Sequence, residues 1–126
     1  MTPPDELLPM IAQRFAALSD VTRLRLILRL RAGESGVNAL SEQLDIAQPL
    51  VSKHLTILRT SGLVTCRRDG RRILYRICDG RLEELCGLVC QSVIEALQRE
   101  QAPLQAFLRS REGAAGHRTP SDSTTR

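Results

Sequence analysis

The sequence predicts a mainly α-helical domain carrying one small β-hairpin. Three observations predict it. Apolar residues recur at three- and four-residue intervals through most of residues 8–58, the interval falls to two between residues 63 and 77, and an Asp-Gly pair sits midway along that second stretch. At 126 residues, 42 % hydrophobic and 25 % charged, the chain has the size and composition of a single globular domain. A chain of this length buries roughly two-thirds of its unfolded surface and needs no metal or disulfide to hold a core. Wholesale disorder and two packed domains are excluded on the same grounds. No apolar run approaches the roughly 18 residues that span a bilayer. The start, Met-Thr-Pro-Pro-Asp-Glu, carries no secretory signal, so a cytoplasmic protein with no membrane partner is expected. The cysteines at 66, 78, 86 and 90 are then expected to be reduced rather than paired.

The first helix follows from Leu8, Ile11, Phe15 and Leu18. Ser19 and Asp20 act as caps between it and a second helix through Leu24, Ile27, Leu28 and Leu30, which stops near Gly33. Val37, Leu40 and Leu44 share one side of a short third helix, whose cap is assigned to Ser35. Asp45, Ile46 and Ala47 form a tight turn. A fourth helix opens at Gln48 and Pro49, where proline is tolerated in a first turn, and ends at Gly62. In the period-two stretch, placing Asp69-Gly70 at the hairpin turn pairs Arg68 with Arg71. Val64, Cys66, Ile73 and Tyr75 then share a buried face, with Arg67 and Arg72 on the other. Asp79 caps a last helix from residue 82 to about 101, with Leu82, Leu85, Val89, Val93, Ala96 and Leu97 in a broad apolar stripe. Pro103 is expected to break or kink it. Residues 1–109 make up the domain, and residues 110–126 a disordered tail without Leu, Ile, Val or aromatic residues.

Two helices joined by a three-residue turn and followed by a basic hairpin form a winged helix-turn-helix, whose second helix enters the major groove of duplex DNA. The charge distribution agrees. Seventeen of the 18 basic residues are Arg, and the segment 53–81 holds eight basic residues against Asp69 and Asp79, six positive charges net. The rest of the chain is two negative. A contiguous basic stretch rich in Arg suits phosphates and guanine edges. With only Phe15, Tyr75 and Phe107 as aromatics, the stacking platforms that single-stranded nucleic acid needs are missing. On the fourth helix Val51, Leu55 and Leu58 point inward, with Leu50 and Ile57 on one flank. Gln48, Pro49, Ser52, Lys53, Thr56 and Arg59 are the candidate DNA-facing residues, with Arg67, Arg68, Arg71 and Arg72 on the wing. His54 borders the inward stripe, either packing there or donating to a phosphate. His117 lies in the tail.

Phe15-Ala16-Ala17-Leu18-Ser19-Asp20-Val21-Thr22-Arg23-Leu24-Arg25, then Gln48-Pro49-Leu50-Val51-Ser52-Lys53-His54-Leu55 and Gly62-Leu63-Val64, resemble the ArsR/SmtB family of metalloregulatory repressors. The likeness runs from about residue 10 to residue 100. It implies a homodimer held by the first and last helices, bound to a two-fold-symmetric DNA operator and released by an inducer. The broad stripe on the last helix fits such a dimer. Two departures bear on the inducer. Where the family's arsenic and cadmium sensors carry Cys-Val-Cys, this chain has Gly36-Val37-Asn38. Where its zinc sensors place ligands along the last helix, this chain keeps Asp79 but has Arg81, Ser92 and Glu95.

Cys86 and Cys90 remain, at i and i+4 on one helix face, able to share one soft ion, trivalent arsenic or antimony above all. Three readings stand: a thiophilic inducer site, a thiol-oxidation site, and two small apolar residues in a helix interface. Cys66 is assigned to the hairpin core. Cys78 lies about 10 Å or more from Cys86 along the chain, so a third sulfur would come from a partner chain or a small thiol. An enzyme is not expected, since the sequence has no Gly-rich phosphate loop, metal triad or nucleophile beside a base. Outside repression, the alternative is a winged helix serving only protein interaction, which would have no need of so basic a helix and wing.

Overall fold

In the computed structural model, residues 1–115 are described. A 3-10 turn at Asp5–Leu7 leads into α1 (Leu8–Leu18), followed by α2 (Val21–Leu30), β1 (Ser35–Gly36), α3 (Val37–Leu44), α4 (Gln48–Thr60), β2 (Val64–Asp69), β3 (Arg72–Ile77) and α5 (Arg81–Ala115). The local signals act as expected at most boundaries. Ser19 Oγ donates to the Ala16 carbonyl at the end of α1, while the extended Asp20 accepts from the Arg23 N–H at 3.0 Å and opens α2. Asp45 takes the left-handed conformation (φ 54°) that turns the chain from α3 to α4. Gly62, at φ 78°, does the same after α4. Arg81 N–H and its guanidinium both donate to the Asp79 carboxylate where α5 begins.

The core lies between α2, α3, α4 and the base of the sheet. Leu26, Leu40, Val51, Leu55 and Leu58 are wholly buried there, joined by Ile27, Leu63, Val64 and Leu82. Burying one such side chain stabilises the fold by about 1.5–3 kcal/mol. A set this size therefore fixes α4 by its inner face and leaves its outer face exposed.

The hairpin differs from expectation in register and in strand number. Asp69 pairs with Arg72, Arg68 with Ile73 and Cys66 with Tyr75, so the two-residue loop is Gly70-Arg71 and not Asp69-Gly70. Gly70 (φ 64°) occupies the first loop position, where a positive φ is needed, and Arg71 keeps an ordinary one. The slip is two residues, so the faces are unchanged: Val64, Cys66, Ile73 and Tyr75 still share one and Arg67 and Arg72 the other. Burial does not divide so cleanly. Ile73 is exposed near the tip, while Leu74 is buried on the arginine face. The cause is β1, a two-residue strand that pairs Ser35 with Tyr75 and Gly36 with Leu74 on the outer edge of β3. Ser35 is thus a buried strand residue, and Gly36, not Ser35, precedes the first turn of α3, with no side-chain cap.

The last helix is longer than expected. Pro103 stands inside α5, which continues to Ala115, so residues 110–115, assigned above to the tail, are helical. A proline removes one backbone donor, but here Ala, Leu, Gln and Arg, all strong helix formers, continue the helix on both sides. Residues 116–126, including His117, lie outside the described residues. One compact unit comprises Met1–Leu85 and a second begins at Cys86. No helix among the described residues is long and apolar enough to cross a membrane.

Candidate nucleic-acid interface

The opposite sides of α4 are sharply distinguished. Val51, Leu55 and Leu58 are 0 % exposed, whereas Gln48, Pro49, Ser52, Lys53, Thr56 and Arg59 are all exposed. That outer face offers an amide, two hydroxyls and two cations with no acidic side chain among them, which is donor chemistry for base edges and phosphates. Thr56 Oγ1 also donates to the Ser52 carbonyl at 2.9 Å, one turn earlier. Arg59 Nη1 lies 3.6 Å from Cys66 Sγ and so joins the end of α4 to β2. Cys66 itself is half-buried on the inward face of the hairpin, where the sequence placed it.

The wing arginines divide into two kinds. Arg67 forms a two-pronged ion pair with Glu34, its Nε 2.9 Å from the carboxylate, and Arg72 lies 3.7 Å from Asp69. The Arg67 pair holds the Glu34 carboxyl below its usual range, chiefly by hydrogen bonding and then by charge. Arg68 and Arg71, by contrast, are exposed and have no ion-pair partner among the described residues. Glu34 escaped the sequence reading because it sits in the connection before β1, a strand too short to leave a periodic signal. Its effect is to fasten the wing through β2, leaving Arg68 and Arg71 as its unpaired positive charges among the described residues.

His54 belongs to the inner side. It is buried, and its Nδ1 lies 3.2 Å from Arg23 Nη1 and 3.9 Å from the Asp20 carboxylate. Asp20 is held below its usual range, first by the backbone N–H of Arg23 that it accepts and further by the Arg23 charge.

The remaining cysteines occupy separate settings. Cys78 is exposed and, with Arg14, Phe15, Asp79 and Leu82, lines a groove of about 540 Å³ in the N-terminal unit. Cys86 is half-buried and Cys90 exposed, one turn apart on α5. No group of three or more His, Cys, Asp or Glu side chains that could hold a metal occurs among the described residues. A single chain thus supplies Cys86 and Cys90 as a pair of thiols. Two thiols match a soft ion better than a borderline one, but leave room for a further ligand.

Comparison with known proteins converges on one group. Residues 20–65 match the family described as bacterial regulatory protein, arsR family, a span that contains α2 to the start of β2. The chain is 36 % identical over 99 residues to the arsenical resistance operon repressor of Escherichia coli K12, covering 78 % of this chain and 81 % of that protein. It is 40 % identical over 83 residues to the transcriptional repressor SmtB of Mycobacterium tuberculosis, covering 66 % of this chain and 62 % of the repressor, so that it spans about three-fifths of that relative's length. In three dimensions it resembles the homodimeric winged helix-turn-helix DNA-binding domain of a possible ArsR-family regulator from Mycobacterium bovis, with a TM-score of 0.68 and 31 % identity over 77 % of this chain and 93 % of that one.

Proposed function

Since this chain belongs to the bacterial arsR family of regulatory proteins, we propose that it is a transcriptional repressor, binding a two-fold-symmetric duplex operator as a homodimer and released from it by a thiophilic ion. The observation that carries the DNA-binding part is α4, wholly buried along Val51, Leu55 and Leu58 and polar and cationic along Gln48, Ser52, Lys53, Thr56 and Arg59. Laid in the major groove, that face brings Gln48 and Ser52 to base edges through the helix N-terminus, with Pro49 packing beside them. Lys53 and Arg59 then serve phosphates. Arg68 and Arg71 at the wing tip supply the long-range attraction, while Arg67 and Arg72, already paired, contribute less each.

Cys86 and Cys90 are the candidate inducer ligands, with trivalent arsenic or antimony as the favoured ion and a third sulfur drawn from a second copy or a small thiol. The E. coli relative, by its name a repressor of an arsenical resistance operon, supports the chemical class. Oxidation of the same thiols is the second reading. Cβ atoms at i and i+4 stand about 5–6 Å apart, wider than the roughly 3.5–4.5 Å of a disulfide, so an oxidised product would link two chains and not one turn of a helix.

A single titration series tests these points. Labelled duplex from the protein's own upstream region is bound at several salt concentrations, then challenged with arsenite, antimonite, zinc and peroxide. Affinity is expected to fall steeply with salt, and Arg68→Ala with Arg71→Ala to lower the slope by about two. Cys86→Ser and Cys90→Ser are expected to bind normally and resist arsenite, with Cys66→Ser responding like the wild type. Binding insensitive to salt removes the DNA reading. Release of the Cys86/Cys90 double variant by arsenite removes the ion site, and release by peroxide alone transfers it to oxidation.

A further inference from the structure

Behind the outer face of α4, one guanidinium ties three helices together. Arg23 Nε donates to the Ala17 carbonyl at 2.6 Å and its Nη2 lies 3.4 Å from the Ala16 carbonyl, both at the C-terminal end of α1. Its backbone N–H is held by the Asp20 cap of α2. Its Nη1 reaches His54 Nδ1 on α4 at 3.2 Å. A guanidinium has donors and no acceptor, so Nδ1 must be the accepting, proton-free nitrogen, and the ring is the neutral form with its proton on Nε2. The His54 side chain is only 10 % exposed, so water is a poor substitute for this bond.

We propose that Arg23 and His54 are positioning residues for DNA binding, the neutral imidazole fastening α4 to α1 and α2, and that protonation of His54 undoes the fastening and weakens the hold on DNA. This rests on the reading of α4 as the groove-binding helix. The charged groups facing the ring are Asp20, the cap of α2, and Arg23 within α2; α1 contributes the carbonyls that Arg23 engages, and the neighbouring Lys53 on α4 is exposed. A proton on Nδ1 removes the acceptor that Arg23 uses and sets two positive charges 3.2 Å apart. The same proton draws the ring toward the Asp20 carboxylate, now 3.9 Å away, which is engaged in capping α2. Arg23 is left with α1 alone, and α4 loses its link to it. Affinity therefore falls as pH is lowered and the ring takes up that proton.

The test compares wild type, His54→Asn, His54→Leu and Arg23→Lys on the labelled upstream duplex from pH 8 to pH 5.5 at fixed salt. Asn sets an amide oxygen near the position of Nδ1 and cannot be protonated there. His54→Asn is expected to bind within about threefold of wild type at pH 8 and to lack a loss of about tenfold that wild type shows by pH 5.5. His54→Leu and Arg23→Lys are expected to bind weakly throughout while keeping a wild-type circular dichroism spectrum. If His54→Asn does not fold, His54→Gln takes its place. Long-range proton-nitrogen NMR reads the tautomer directly, and a proton on Nδ1 at pH 8 overturns the proposal. A pH profile shared by wild type and the Asn variant also overturns it, leaving the DNA-binding reading intact. A wild type that binds no duplex at pH 8 overturns that reading and the proposal with it.

Discussion

Helix α4 and the part of α5 beyond Leu85 both carry apolar stripes, and the chain treats them in opposite ways. On α4 the stripe of Val51, Leu55 and Leu58 is 0 % exposed. On α5, Val89, Val93 and Leu97 are 54 %, 52 % and 48 % exposed, and Leu104, Phe107 and Leu108 are exposed as well. A stripe at helical spacing says that a face will be covered, not what covers it. The first is completed by α2 and α3 within the chain. The second stays exposed, and a second copy is the occupant that the proposed dimer supplies.

The largest expected effect breaks the first side of this comparison. Leu55→Ala removes a wholly buried side chain from the centre of the core and is expected to lower stability by about 2–5 kcal/mol, measured by urea unfolding. Leu97→Ala, at concentrations low enough for single chains, is expected to cost a small fraction of that. Equal losses would mean that the α5 stripe is also packed within the chain.

Next in size is the open side. Val93→Glu with Leu97→Glu puts two charges on the exposed stripe and is expected to raise the dissociation constant of the dimer by about a hundredfold or more, read by analytical ultracentrifugation. The melting of residues 1–85 is expected to change little in the separated chains. A dimer that survives both substitutions is held by another surface.

The same contrast explains what the sequence could and could not reveal. Helix boundaries were legible wherever a residue has one strong local preference: Asp20 as a cap, Pro49 in a first turn, Gly62 past a last one. The inward and outward faces of α4 were legible because burial within a chain follows the 3.6-residue period. The hairpin register was not, since Asp69-Gly70 and Gly70-Arg71 both offer a turn and the choice depends on which position takes the positive φ. Nor was β1, whose two residues are a strand only because β3 presents an open edge. The Arg23 and His54 contact spans 31 positions, and the Arg67 and Glu34 pair spans 33; no periodicity carries such couplings. α5 passed its expected end because a proline signals a lost hydrogen bond and not always a lost helix.

Sharpening the outer face of α4 comes third. Ser52→Ala and Gln48→Ala touch neither core nor wing, and are expected to cost about 1–3 kcal/mol against the operator and little against unrelated duplex, by competition binding. Arg71→Ala is expected to weaken both duplexes alike. Equal losses for Ser52→Ala on the two duplexes would place Ser52 on the backbone and move specificity elsewhere on α4.

The smallest effect concerns the start of α5, which lies within the N-terminal unit and is set by charge where the distal part is marked by apolar surface. Asp79 is pulled from an ordinary 3.8 to about 2, first by side-chain hydrogen bonds from Arg81, then by the Arg81 backbone N–H. A carboxyl more acidic in the folded chain than in the unfolded one stabilises the fold above its unfolded value, and that contribution fades as pH drops from about 4 through about 2. Asp79→Asn keeps an oxygen able to accept from the backbone and removes only the charge. The variant is therefore expected to melt below wild type at pH 5–7, by a few degrees at most because both side chains are exposed and screened by salt. The gap should narrow below pH 4 and close near pH 2, with 1 M salt shrinking it at neutral pH. A gap undiminished at pH 2 would mean that the carboxylate charge is not what holds the first turn, and that shape alone sets where α5 begins.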